Sequence, residues 1–249
     1  KTLAMVMVCM AMTLCVSCKK DDDKSEGGGG GSTGGYEYVD LGLPSGLLWA
    51  TCNVGANKPE DYGNYYAWGE TTTKNTYDWD TYRWCSNGDY HNLTKYNTLS
   101  SYGTVDNRTV LDITDDVAHA NWGGAWRMHT ETELQELLDC CTWTWTTLGE
   151  NKGYRVTGSN GESIFLPAAG YYDGGSLFGA DDTGSYLSSS LDADSPEGAY
   201  NLVFNSGNLN PQNFNGKSYG YSFAPFMPGS PGGNYYSDTA AKHSNGRGP

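Results

Sequence analysis

Large side chains in this chain are mostly rings: 19 Tyr, 8 Trp and 6 Phe are scattered among 34 Gly, and long aliphatic runs are few. Such a chain suits short strands joined by many loops. The strand signals are accordingly brief. Leu47-Leu48-Trp49-Ala50-Thr51 follows a turn at Pro44-Ser45-Gly46. Tyr154-Arg155-Val156-Thr157 and Ser163-Ile164-Phe165-Leu166 flank Gly158-Ser159-Asn160-Gly161-Glu162, and an Asn-Gly pair between apolar runs predicts a hairpin. Tyr200, Leu202 and Phe204 alternate with smaller or polar residues, as do Tyr219, Tyr221 and Phe223. Each set places three large side chains on one face of a strand. The polar stretch between them, residues 205–218, reads as a loop.

Two helices are expected. One starts near Thr114 as its cap and continues through Asn121, with Asp115 and Asp116 near the positive end of its dipole and Gly123-Gly124 stopping it. The other opens on a capping box, Thr130 with Glu133. Leu134, Leu137, Leu138 and Cys141 then follow at i, i+3, i+4 and i+7, one apolar stripe. Two helices amid many short strands predict an α+β fold.

The first residues carry a different message. Lys1 precedes a segment, 3–16, that is apolar apart from Thr13 and two cysteines; Val16-Ser17-Cys18 and then Lys19-Lys20-Asp21-Asp22-Asp23-Lys24 follow. This is the layout of a secretory signal peptide, and the apolar run falls short of the roughly 20 residues of a membrane span. It resembles a bacterial lipoprotein signal, with Cys18 as the lipid-carrying residue. The acidic run resembles the surface-export signal of Bacteroidota lipoproteins. The expected organisation is a lipoprotein signal peptide at 1–17, a flexible acidic and Gly-rich tether at 18–35, one domain at 36–226, and a Gly/Pro-rich tail at 227–249. The expected location is the outer membrane at the cell surface, with membrane contact through the lipid anchor only.

The formal net charge of −14 comes without any basic run beyond Lys19-Lys20. Neutralising nucleic-acid phosphates is therefore not expected of this chain. Of its seven cysteines, Cys52, Cys85, Cys140 and Cys141 fall in the domain. Export permits disulfides, and four cysteines allow three full pairings. A bond between vicinal Cys140 and Cys141 would be strained. Cys52–Cys141 is the preferred bond; four free or buried thiols are the alternative.

An ordered string of motifs points further. Tyr38-Val39-Asp40-Leu41-Gly42-Leu43-Pro44-Ser45-Gly46 leads to Leu48-Trp49-Ala50-Thr51-Cys52-Asn53-Val54-Gly55-Ala56 and Tyr66-Ala67-Trp68-Gly69-Glu70-Thr71. Trp122-Gly123-Gly124, Trp126-Arg127-Met128, Cys141-Thr142-Trp143-Thr144-Trp145, Ile164-Phe165-Leu166-Pro167-Ala168-Ala169-Gly170-Tyr171 and Ser188-Ser189-Ser190 follow. Together they resemble the Fibrobacter succinogenes major paralogous domain family. The chain departs from that family's pattern at His129 and in its last strand, Ser222-Phe223-Ala224-Pro225-Phe226. The resemblance implies a C-type-lectin-like fold: two helices, a small mixed or antiparallel sheet and long loops. It also implies that Cys85 lacks a partner, Asn97 occupying the region where members often carry a second cysteine.

No catalytic group is expected. A Cys141–His129 nucleophile pair is conceivable, but Cys141 lies on the apolar stripe, which favours a structural thiol. No Gly-x-Ser-x-Gly elbow, His-Glu-x-x-His helix or phosphate loop occurs. No zinc spacing occurs, and no cofactor is assigned; Asp192, Asp194 and Glu197 have the oxygen chemistry for calcium without the EF-hand pattern. Trp143 and Trp145, and Trp122 and Trp126, read as core before sugar platforms. The expected ligand surface is the polar segment with Asn208, Asn210, Gln212, Asn213 and Asn215, beside the ring of Tyr219. The expectation is thus a lipid-anchored recognition or adhesion domain for a glycan or a host or bacterial surface protein. The alternatives are a glycan-acting enzyme and a structural or hypervariable part of a surface fibre or receptor.

Overall fold

The computed structural model describes residues 30–229. In chain order these form β1 (Gly30–Thr33), β2 (Tyr36–Asp40), β3 (Leu47–Ala50), α1 (Val117–Trp122), α2 (Glu131–Cys140), β4 (Thr142–Leu148), β5 (Asn151–Thr157), β6 (Ser163–Pro167), β7 (Tyr171–Asp173), β8 (Ser176–Phe178), β9 (Thr183–Leu191), β10 (Gly198–Asn205), β11 (Asn208–Gly216) and β12 (Phe226–Pro228). The strands make four antiparallel sheets: β1-β2-β3-β12, β4-β5-β6, β11-β10-β9 and the hairpin β7-β8. This is an α+β architecture. None of its helices is long and apolar enough to cross a membrane.

Helix α2 forms for the reason its sequence states. The Thr130 side chain accepts from Glu133 N–H, and the Glu133 carboxylate accepts from Thr130 N–H at 2.8 Å, closing the capping box. Leu134 and Leu137 are buried against Trp49, Val156, Leu166 and Phe204 in one core cluster; burying each leucine stabilises by about 2 kcal/mol. Helix α1 departs from expectation in its start. Its cap is Asp116, whose Oδ1 accepts from Ala118 and His119 N–H at 2.9 and 3.1 Å; residues Ile113–Asp115 form a separate 3₁₀ turn. Asp116 Oδ2 also takes the N–H of Met128 at 2.8 Å. The two oxygens of a carboxylate thus serve two backbone segments at once, the helix start through Oδ1 and Met128 through Oδ2, where a threonine offers one oxygen.

The hairpin predicted around Asn160-Gly161 is β5–β6, in register from Gly153 opposite Pro167 to Thr157 opposite Ser163. Two other expectations need correction. Most of 205–218 is no loop: β11 pairs along β10 from Asn205 opposite Asn208 to Gly198 opposite Gly216. Its residues have low strand propensity, and the ladder of β10 overrides that weak preference. Conversely, 219–224 is not a strand but an extended thread touching neighbours at single bridges, Tyr66 to Tyr221 and Tyr172 to Gly220. Tyr221, Ser222, Phe223 and Ala224 are all buried, so both faces of this thread lie inside.

The domain limits also shift. Gly30–Thr33, read as the end of the tether, pairs with β2 as an edge strand, and Met227 and Pro228, read as tail, pair with β3. Backbone pairing needs no apolar side chain, which is why a glycine-rich segment can join the sheet. The remainder of the expected tether, the signal segment with Cys18, and residues 230–249 lie outside the described residues.

The expected Cys52–Cys141 bond is not made. Cys85, Cys140 and Cys141 are free thiols, and Cys52 is buried after β3. Cys141 follows α2 as its C-cap and packs against the core cluster of Leu134 and Leu137, committed to that stripe rather than to the turn after β3.

Candidate ligand-binding surface

Between β3 and α1 the chain runs through turns and three 3₁₀ turns, Tyr90–Asn92, Ser100–Tyr102 and Ile113–Asp115. The first two are tied together by Leu93, which is almost wholly buried beside Ala67, Tyr77 and Tyr82. Its N–H donates to Tyr102 C=O at 2.7 Å and its C=O accepts from Thr104 N–H at 2.8 Å. Gly103 between them has φ +115°, and a Cβ there would sit 2.4 Å from the Leu93 oxygen, so only glycine permits this approach. At the other end Asp89 caps the first turn, accepting from His91 N–H at 3.0 Å and contacting His91 Nδ1 at 2.9 Å.

The consequence is a cluster of rings on the outside of a rigid loop pair. Tyr90 is its hub, with centroid distances of 4.0 Å to His91, 5.9 Å to Trp79 and 6.0 Å to Tyr102; His91 stacks on Tyr102 at 5.5 Å and 20°. Tyr90 is 37% exposed, and the side chains of Asp89 and His91 about half so. Trp79 and Tyr102 are partly buried, packed on the Leu93 cluster. Rings fixed from beneath and open above form a platform on which a flat apolar face can rest at little entropic cost.

The platform is acidic. The N–H and ring of His91 hold the Asp89 carboxyl below its ordinary range. Desolvation, and then the neighbouring Glu197 carboxylate, raise the Tyr102 phenol. Asp80 lies against the backbone of Gly88, where a Cβ would meet its Oδ1 at 1.8 Å. The nearby cations are engaged elsewhere: Lys74 pairs with Glu70, Lys95 with Asp112 and Asp115, and the Arg83 guanidinium sits 4.7 Å over Trp84.

The residues expected to bind ligand are not gathered here. Asn208 and Asn210 are exposed on β11, while Asn215 is partly buried with Nδ2 3.5 Å from Ser185 Oγ. Gln212 and Asn213 contribute backbone to β11; their side chains lie outside the described part. Tyr219 is partly buried in another ring group, 5.9 Å from Tyr171 and 6.5 Å from Tyr221. Trp143 and Trp145 pack edge-on to Tyr154, and Trp122 stacks on Tyr36 at 4.0 Å. Trp79, Tyr90, His91 and Tyr102 follow no period, so pattern reading passed them over; their signal is the run Asn87-Gly88-Asp89-Tyr90-His91, turn formers followed directly by rings.

The other candidate chemistry is dispersed. His129 is buried against Trp49, 5.7 Å away, and burial pushes its pKa down to about 4. The Cys141 thiol is pushed up to about 11 by burial and by neighbouring Cys140 and Glu136, the opposite of an activated nucleophile. Asp192 spends Oδ1 on Asp194 N–H at 3.0 Å, and Glu197 faces Tyr102. Among the described residues no group of three His, Cys, Asp or Glu is arranged to hold a metal. No protein-family model, no curated protein and no solved structure matches the chain.

Proposed function

We propose that this chain is a recognition and adhesion domain, with a C-type-lectin-like fold, that binds a saccharide across the Trp79–Tyr90–His91–Tyr102 platform. It is displayed on the outer membrane by a lipid on Cys18. The fold assignment draws support from the two helices, the antiparallel sheets and the long irregular segment that carries the rings. The localisation rests on the signal layout before Cys18. The observation that carries the binding reading is Tyr90 itself: a large ring, 37% exposed, held by three other rings instead of being turned into the core. Aromatic faces stack on the C–H face of a sugar, while the half-exposed Asp89 carboxylate and His91 ring supply hydrogen-bond partners for hydroxyls.

The test is a glycan array probed with the purified chain, its Tyr90→Ala variant and its Trp79→Ala variant. Binding to a defined set of glycans by the parent, reduced at least about tenfold in both variants while each still unfolds cooperatively, with Trp79→Ala at a lower midpoint because it leaves a gap against the Leu93 cluster, is the expected result. A folded parent that binds nothing, or variants that bind as well as the parent, would remove the platform from consideration.

A further inference from the structure

We propose that the platform selects saccharides bearing free amines, amino sugars without an N-acetyl group, over neutral and acidic ones. The inference rests on the platform reading above and adds the charge of its ligand. Two carboxylates, Asp89 and Glu197, meet the ring group at His91 and Tyr102, and Asp80 lies beside them against the backbone of Gly88. The Asp89 carboxylate stays ionised under the His91 N–H and ring. Glu197 faces the Tyr102 phenol with one of its oxygens, Oε2, shut off from solvent, so it contributes charge at the platform's edge rather than direct contact with a ligand. Between residues 78 and 91 the single Lys or Arg is Arg83, seated over Trp84 outside the platform.

An exposed ring cluster edged with carboxylates fits an ammonium-bearing sugar on both counts. The negative faces of Trp and Tyr attract a cation, and the exposed carboxylates of Asp80 and Asp89 accept its N–H donors in charge-assisted bonds. The chain's net charge of −14 adds a long-range field that draws such a ligand in and turns sialylated or sulfated glycans away. A basic peptide shares the charge, but the ring surface favours a stacking partner with a flat face, so the sugar is the assigned ligand.

The experiment titrates the full purified chain with a glucosamine hexamer, the matched N-acetylglucosamine hexamer and a lysine hexamer, at mildly acidic pH where the sugar amines are protonated. The expected result is at least about tenfold tighter binding of the glucosamine hexamer than of either competitor. That margin should shrink with added salt and in an Asp89→Asn, Glu197→Gln double variant. Equal binding of the two sugars, or preference for the acetylated one, overturns the charge selection and leaves the platform as a neutral-sugar site. Tighter binding of the lysine hexamer overturns the sugar assignment. Binding of neither sugar by folded protein overturns both the inference and the platform reading beneath it.

Discussion

The Lys217 Nζ donates to the Tyr96 carbonyl at 3.0 Å while the lysine side chain is wholly removed from water. The ring of Trp68 stands 5.3 Å from the same nitrogen, and no carboxylate forms an ion pair with it among the described residues. A lysine so placed loses its hydration and recovers one hydrogen bond and one ring face. Burial therefore pushes its pKa down to about 7.

The sign of the resulting pH dependence follows. The folded chain holds fewer protons on Lys217 than the unfolded chain between about pH 7 and the ordinary lysine range, so stability rises with pH across that window. The penalty is complete below about pH 7 and fades as the unfolded lysine deprotonates. Urea unfolding at pH 7 and again near the top of the window should show the parent gaining relative to Lys217→Met, by at most about 1.4 kcal/mol per pH unit. Parallel pH profiles for the two proteins would contradict the burial of a neutral amine.

His129 gives the matching acid limb. Its pKa of about 4 in the fold lies below its unfolded value, so the folded chain again holds fewer protons. Stability should fall as pH drops from about 6.5 toward 4 and level off below. Replacing His129 with Met removes a titrating group from beside Trp49 at similar volume. The fall measured by thermal unfolding should then flatten; an unchanged acid limb would assign it to carboxylates such as Glu133 instead.

Glu133 serves two elements at once. It closes the capping box of α2 and receives the Arg127 guanidinium in a fork, Nη1 to Oε2 at 2.9 Å and Nη2 to Oε1 at 2.5 Å, while that guanidinium also lies 4.2 Å over Phe226. Glu133→Ala should cost about 3 kcal/mol in chemical denaturation, because a nearly buried arginine loses this carboxylate as the helix loses its box. Thr130→Ala, which removes only the box, should cost about 1 kcal/mol. Similar losses for the two would mean that the fork contributes little.

A single methyl tests the sheet behind the core. The Cβ of an alanine at Gly184 would lie 2.0 Å from the Phe204 ring, which is fixed between Tyr154 and Tyr186. Gly184→Ala should destabilise by about 2 kcal/mol or more, and Gly184→Ala with Phe204→Leu should recover part of that loss. The readout is the unfolding midpoint in urea at constant slope.

How much of this was written in the sequence depends on range. Helix α2 and the β5–β6 hairpin were legible because their signals are local: a box three residues wide and a turn between matched apolar runs. The identity of the α1 cap was not, since Asp116 earns its position partly from Met128 N–H twelve residues away. Strand β11 was hidden because its ladder is supplied by β10, and the thread 219–224 looked like a strand because alternation cannot reveal that the second face is also buried. The ring platform escaped for a similar reason. Leu93 joins two 3₁₀ turns that share no period, and only the folded loop brings Tyr90 to Tyr102.

One row of the first sheet runs Gly30, Val39, Trp49, Phe226 across β1, β2, β3 and β12. Three strand spacings of about 4.8 Å thus separate Gly30 from Phe226, roughly 14 Å. A module whose first and last strands lie so close in one sheet has the geometry of a cassette. Spliced into a surface turn of a host protein, it would spread that turn by little more than its own width, and it would stand out from the host as a single knob, free to present its rings in whatever direction the splice is aimed.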